Sequence, residues 1–199
     1  MKFFKENSEG IVRLFINQIG IAIFSSFIYT AVGAINKDGT SQTWVKVLIS
    51  AFCLLFYFAL IYTTVWDMGA KEKIRIDAGR AEKKSARGFL MGLYANIPNF
   101  IITGLSLLLY GAFMLGLGDG FKTAFGFLNA IFRIFMSMYL GVIDGLTAML
   151  PEDSTLFLIQ TVYYFLLPLV SVLVVHFAYL MGLNERRIIP RATDKNKKL

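Results

Sequence analysis

The ionisable side chains of the segment 121–150 are the best candidates for chemistry in this chain, because they interrupt a largely apolar stretch. Arg133, Asp144 and the amide Asn129 could line a path for a polar substrate or an ion, or form the site of a membrane-embedded enzyme. On one straight helix the two charges would lie about 16 Å apart along the axis, too far to pair directly.

The single histidine and the single cysteine limit the possible chemistry further. His176 is the only histidine, which excludes motifs with two metal-binding histidines, and Cys53 is the only cysteine, which excludes a cysteine cluster. We therefore expect no metal and no cofactor. His176 either bonds a neighbouring helix or carries protons along a pathway.

Four side-chain amides lie near the starts of two apolar runs. Asn17 and Gln18 belong to the first run, and Asn96 and Asn99 to the third. Such amides commonly form hydrogen bonds between membrane helices. The alternative is a polar vestibule, which makes Asn17 and Asn96 further candidates for a substrate or ion pathway.

The elements that position these residues are four long apolar runs. The chain has 199 residues, of which 56% are hydrophobic and 17% charged. The runs cover residues 14–35, 47–66, 88–118 and 154–184, and the last three contain no charge. Each can cross a hydrocarbon core of about 30 Å as a helix. The sequence therefore predicts one membrane domain over 1–199, an all-α polytopic integral membrane protein.

Capping and turn residues place the helix boundaries. Ser8 could cap a first helix over residues 9–35, and residues 36–40 read as a turn. Pro151 and the acids after it are typical of a helix start. The other predicted helices cover about 43–68, with a possible extension into the following loop, 88–117 and 154–183.

A repeated motif closes the second and the last apolar runs. Residues 66–73 and 179–186 both read aromatic, any residue, Met-Gly, two residues, Glu, basic. We expect both helices to leave the membrane on one face, with Trp66 and Tyr179 as interface anchors.

A second, weaker similarity suggests an internal duplication. Leu14-Phe15-Ile16-Asn17 resembles Leu93-Tyr94-Ala95-Asn96, and each precedes one copy of the repeated motif. Parallel repeat units over 10–76 and 90–189 would result.

The net charge of +7 is concentrated between and after the apolar runs. Residues 67–87 carry +3 and the tail 185–199 carries +4. This pattern predicts a cytoplasmic loop, two cytoplasmic termini and a place in the cell membrane, and it argues against nucleic acid as a partner. The residues expected to contact anionic lipid head groups or a partner are Lys83, Lys84, Arg186 and Arg187.

That orientation leaves residues 121–150 without a full crossing, since a fifth crossing would put the basic tail outside. Polar and small residues form one stripe along this segment, and Phe-rich positions lie opposite. We expect one long amphipathic helix on the external side, interfacial or re-entrant with a return at Gly141. The alternative is a five-crossing bundle with the stripe inside. The stripe comprises Lys122, Gly126, Asn129, Arg133, Ser137, Gly141, Asp144 and Ala148.

These features indicate a class of protein more clearly than an activity. We expect a non-enzymatic subunit or accessory of a membrane transport or channel assembly, in a homo-oligomer or a heteromeric complex, because four short crossings rarely enclose a pathway alone. The alternative is a membrane-embedded enzyme acting on lipid or peptide, with Arg133 and Asp144 at its site.

Overall fold

The computed structural model describes residues 2–35, 43–148, 150 and 154–188, and in these ranges it contains helices and no strand. The all-α prediction is confirmed. Four helices are long and apolar enough to cross a membrane, or five spans result if α4 and α5 are counted as one. The helices are α1 (Lys2–Ile35), α2 (Thr43–Asp77), α3 (Arg87–Met114), α4 (Asp119–Phe135), α5 (Ser137–Thr147) and α6 (Ser154–Leu183).

The predicted start of the first helix is wrong, because α1 begins at Lys2 rather than near residue 9. Ser8 does not cap it, since the Ser8 hydroxyl donates to the Lys5 carbonyl 3.3 Å away within the helix. Packing holds the early turns in place. The Phe3 ring stacks on Tyr94 of α3 at 5.7 Å between centroids, so the arm belongs to the bundle.

The other boundaries agree more closely with the sequence. α2 does extend beyond residue 68, to Asp77, which leaves only residues 78–86 irregular before α3. α6 has the predicted bounds. The predicted turn at 36–40 and the predicted start signal at 151–153 lie outside the described residues.

The two copies of the repeated motif cross each other. A Cβ added to Gly69 would lie 2.4 Å from the Tyr179 carbonyl oxygen, and one added to Gly182 would lie 2.3 Å from the Trp66 carbonyl oxygen. Eleven to twelve residues earlier, Tyr57 of α2 lies near the Ser171 hydroxyl of α6. α2 and α6 therefore run parallel and end at the same end of the bundle.

α1 and α3 run in the opposite direction to α2 and α6. Asn17 of α1 bonds Thr64, near the end of α2, at 3.4 Å. A Cβ on Gly88, at the start of α3, would lie 2.5 Å from the Tyr179 Cβ, near the end of α6. The starts of α1 and α3 and the ends of α2 and α6 thus share one end of the bundle, here named the basic end. The opposite end is named the far end.

The expectation of one long helix over 121–150 is wrong. The chain bends by 104° between α4 and α5, at Met136 and not at Gly141. Met136 is fully buried. Close packing of α5 on α2 explains the break, because a Cβ on Gly141 would lie 1.9 Å from the Lys46 carbonyl oxygen. A straight continuation of α4 could not make this approach.

The break divides the predicted polar stripe into two environments. Lys122 and Arg133 of α4 are exposed, as a solvent-facing stripe requires. Ser137 and Gly141 of α5 are buried against α1 and α2. The expectation that the whole stripe faces water or head groups is therefore wrong for Ser137 and Gly141, whereas Asp144 is partly exposed and Ala148 is exposed.

Candidate functional site

The first turn of α5 lies in the middle of the bundle and bonds α1. The Ser137 hydroxyl donates to the Ala22 carbonyl at 2.6 Å and also contacts the Ser25 hydroxyl. Ala22 and Ser25 lie near the midpoint of α1. The break at Met136 is thus deep in the protein, and polar groups of a neighbouring helix surround it.

One turn later, α5 bonds α2. The Gly141 backbone N–H donates to the Ser50 hydroxyl at 2.8 Å, and the Tyr29 hydroxyl reaches the same Ser50 oxygen at 2.5 Å. Tyr29 also donates to the Lys46 carbonyl at 2.9 Å. These contacts fix α5 between α1 and α2 without any charged group.

Asp144 pairs with Lys46, a partner that the sequence reasoning missed. The Lys46 Nζ and Asp144 Oδ2 atoms are 3.2 Å apart, and about a third of each side chain is exposed. Ninety-eight residues separate them in the chain, so no helical spacing could connect them. A partly exposed pair of this kind contributes about 0.2–1 kcal/mol.

Arg133 and Asn129 lie on α4, on the other side of the break. Arg133 is exposed and Asn129 is partly buried. At the break, Phe132 of α4 packs edge-on against Tyr164 of α6 at 4.5 Å between ring centroids. The bend of 104° lies between Arg133 and Asp144. The distance of about 16 Å along the axis, which holds for one straight helix, therefore does not apply to Arg133 and Asp144.

The amides of α3 serve helix packing. The Asn96 side-chain N–H₂ donates to the Ser171 hydroxyl of α6 at 3.1 Å, and that of Asn99 donates to the Asn96 oxygen at 2.9 Å. On α1, Gln18 is buried, and neither polar atom of its side chain has a hydrogen-bond partner among the described residues. The His176 ring meets Phe89 edge-on at 6.1 Å.

A buried ion pair at the basic end was also missed from the sequence. Arg87 donates from Nη1 to Glu72 Oε1 and from Nε to Asn7 Oδ1, both at 2.5 Å. The Glu72 and Arg87 side chains are 10% and 18% exposed. This cluster joins the early turns of α1 to α2 and α3. The signal in the sequence was an acid and a base at the ends of consecutive apolar runs.

The two proposed interface anchors lie in different surroundings. The Trp66 indole N–H donates to the Arg186 carbonyl at 2.6 Å, and the Arg187 guanidinium stacks 3.9 Å from the Trp66 ring centroid. Tyr179 is buried inside the bundle, where its ring packs against Gly88. The role of both residues as anchors stays a prediction.

Three of the described cavities open at the basic end, and their charges differ. Cavities of about 610 and 300 Å³ share Glu6, Glu72, Arg75 and Arg87, so acids and bases mix in their walls. The described residues that line the third cavity, of about 510 Å³, include no acidic residue. It is lined by Lys73, Ile76, Lys83, Leu183, Asn184 and Arg186.

The remaining candidates for partner or lipid contact, Lys83 and Lys84, are exposed on the 78–86 loop. In the described part of the chain, no three metal-ligating side chains come together. Comparisons with protein families, with characterised proteins and with solved structures found no match to this chain.

Proposed function

We propose that this chain is a non-enzymatic subunit of a membrane transport or channel assembly. It would cross the membrane four times, with α4 and α5 as a re-entrant pair and with both termini in the cytoplasm. The observation that carries the proposal is the buried break at Met136, in the middle of the bundle.

A break at membrane depth requires a protein environment. Backbone groups freed at a helix end cost several kcal/mol each in lipid, so broken helices occur where protein or water satisfies them. Here protein encloses the break, since Met136 is fully buried and the adjacent Ser137 hydroxyl donates to the Ala22 carbonyl of α1. Discontinuous helices of this kind form the substrate and ion sites of many transporters.

Contacts at the far end support the re-entrant interpretation. α4 begins there, four residues after the end of α3. α5 ends there, because the Gln160 side chain, near the start of α6, donates to the Thr147 hydroxyl at 3.3 Å. A pair that begins and ends at one end adds no crossing. The basic end would then be cytoplasmic by the positive-inside rule, as would both termini.

The contacts of the polar side chains in the described residues support a non-enzymatic role. Lys46 neutralises Asp144, and Asn96 and Ser171 bond each other across α3 and α6. No reactive pair of nucleophile and base results from these contacts. The enzyme acting on lipid or peptide, with Arg133 and Asp144 at its site, stays the alternative prediction.

An apolar groove between α3 and α6 favours assembly with another membrane protein. It has a volume of about 320 Å³, and a Cβ on Gly104 would meet nothing within 4 Å. Small residues allow close approach of a partner helix in a membrane, where packing drives association. The groove is lined by Thr103, Gly104, Leu107, Thr161, Val162, Phe165 and Leu166.

A photo-crosslinker placed at Leu107 tests the assembly in native membranes. We expect a discrete adduct with a membrane protein, either a second copy or a different subunit, and a particle larger than the monomer in mild detergent. The same crosslinker at Phe27, exposed on α1, is the matched control and should give lipid adducts only. A monomer that hydrolyses lipid or peptide, and loses this activity on Asp144→Asn, would overturn the proposal in favour of the enzyme.

A further inference from the structure

The 510 Å³ cavity, here named the phosphate cavity, is a candidate binding site that depends on neither transport nor assembly. Three cations, Lys73, Lys83 and Arg186, contribute to its lining. The two neighbouring cavities of the basic end each contain three glutamates. A positive field without an acid in the wall favours an anion over a neutral or zwitterionic ligand.

The backbone that presents Arg186 is held in place by three contacts. The Trp66 indole donates to the Arg186 carbonyl, and the Ile188 N–H donates to the Tyr62 hydroxyl at 3.0 Å. Arg187, which lies between Arg186 and Ile188 in the chain, stacks on the Trp66 ring. The segment after α6 therefore folds back along α2, so this cation needs little further ordering to bind a ligand.

One charge of the phosphate cavity is partly neutralised. Lys73 pairs with Asp77 one turn later on α2, but the two side chains are 34% and 54% exposed. An exposed pair at this spacing contributes only about 0.3–0.5 kcal/mol. A phosphomonoester competes well against such a pair, because it carries up to two negative charges where Asp77 carries one, and it can bond all three cations.

We propose that the phosphate cavity binds a terminal phosphate group, a phosphomonoester, through Lys73, Lys83 and Arg186. The position of the cavity along the membrane normal suits both a lipid head group and a soluble phosphate ester. Lys73 lies seven residues beyond Trp66, about 10 Å along the helix axis. If Trp66 marks the edge of the hydrocarbon, Lys73 lies just outside the head-group layer, which is about 5–8 Å thick. The Arg186 backbone lies at the level of Trp66, whose indole N–H donates to its carbonyl.

Lipid retention tests the site with full-length protein. The protein is reconstituted in phosphatidylcholine nanodiscs with and without phosphatidic acid, and bound lipid is measured by native mass spectrometry. Lys83→Gln with Arg186→Gln should reduce phosphatidic acid retention about 100-fold, because each substitution removes a charge-assisted hydrogen bond to the phosphate. The matched control, Lys71→Gln with Arg80→Gln, removes two exposed cations that line the mixed cavities.

The outcomes distinguish a specific binding site from non-specific electrostatic attraction. Selective loss in the first double variant, with the control within about threefold of wild type, supports the site. Equal loss in both double variants would overturn it, as would no preference for phosphatidic acid over phosphatidylcholine. Inorganic phosphate, titrated as a competitor, identifies the source. Displacement of the lipid at millimolar phosphate favours a soluble ligand, and retention of the lipid favours the head group.

Discussion

The crossing of α2 and α6 at Gly69 and Gly182 leads to the most direct test of the fold. Gly69→Ala adds a Cβ at 2.4 Å from the Tyr179 carbonyl oxygen, where ordinary contact begins at about 3.4 Å. The helices must therefore separate by about 1 Å, because the obstacle is backbone and cannot rotate away. Gly182→Ala creates the same conflict with the Trp66 carbonyl oxygen, at 2.3 Å.

Two effects of opposite sign determine how Gly69→Ala changes the free energy of unfolding. Overpacking of this kind costs about 1–3 kcal/mol. Replacing glycine by alanine inside a helix returns about 1 kcal/mol. Gly20→Ala, within α1, is the matched control, since its added Cβ meets nothing within 4 Å and only the favourable effect applies. The two variants should differ in the free energy of unfolding by about 2 kcal/mol.

Thermal unfolding in mild detergent measures this difference. For a chain of this length 1 kcal/mol corresponds to about 2–4 °C in Tm, so Gly69→Ala should melt about 4–8 °C below Gly20→Ala. Equal Tm values for the two alanine variants would refute the close crossing and, with it, the parallel arrangement of α2 and α6.

Further predictions concern burial and orientation. In a Cys53→Ser background, Lys122→Cys should react with a membrane-impermeant thiol reagent added on the far side, and Ser137→Cys should not, because Ser137 is 1% exposed. Labelling at both positions would contradict the buried break. Arg87→Gln should lower the free energy of unfolding by about 3 kcal/mol, since the Glu72 charge would lose its closest partner in a largely buried site. A Tm unchanged from wild type would show that the pair is hydrated. A reporter active only outside the cytoplasm, fused after the last residue, should stay silent, and strong activity would restore the five-crossing alternative.

The sequence predicted the elements of this fold better than their arrangement. Helix existence follows from apolar runs, which is why the bounds of α6 were predicted correctly. The early start of α1 could not be predicted, because its first turns are held by Phe3 on Tyr94 and by Asn7 on Arg87, contacts between residues about 80 to 91 apart in the chain. Local capping signals say nothing about such contacts.

The break at Met136 shows the same limit at the candidate site. The spacing of small and polar residues over 121–150 suits one helix, and neither proline nor a glycine pair marks the bend. Beyond the bend, Gly141 packs closely on the Lys46 backbone, and Asp144 pairs with Lys46 one turn later. The residue types near the site were recognised from the sequence, but their partners were set by tertiary packing.

The glycine crossing and the phosphate cavity are connected through the same piece of structure. Gly69 and Gly182 bring the ends of α2 and α6 within backbone contact, and the cavity opens just beyond, between Lys73 of one helix and Arg186 after the other. A crossing that opened by about 1 Å would move these two cations apart as well. The repeated motif would therefore have two consequences. Its Met-Gly step sets the distance between the helices, and the basic residues that follow it meet in one cavity because that distance is short.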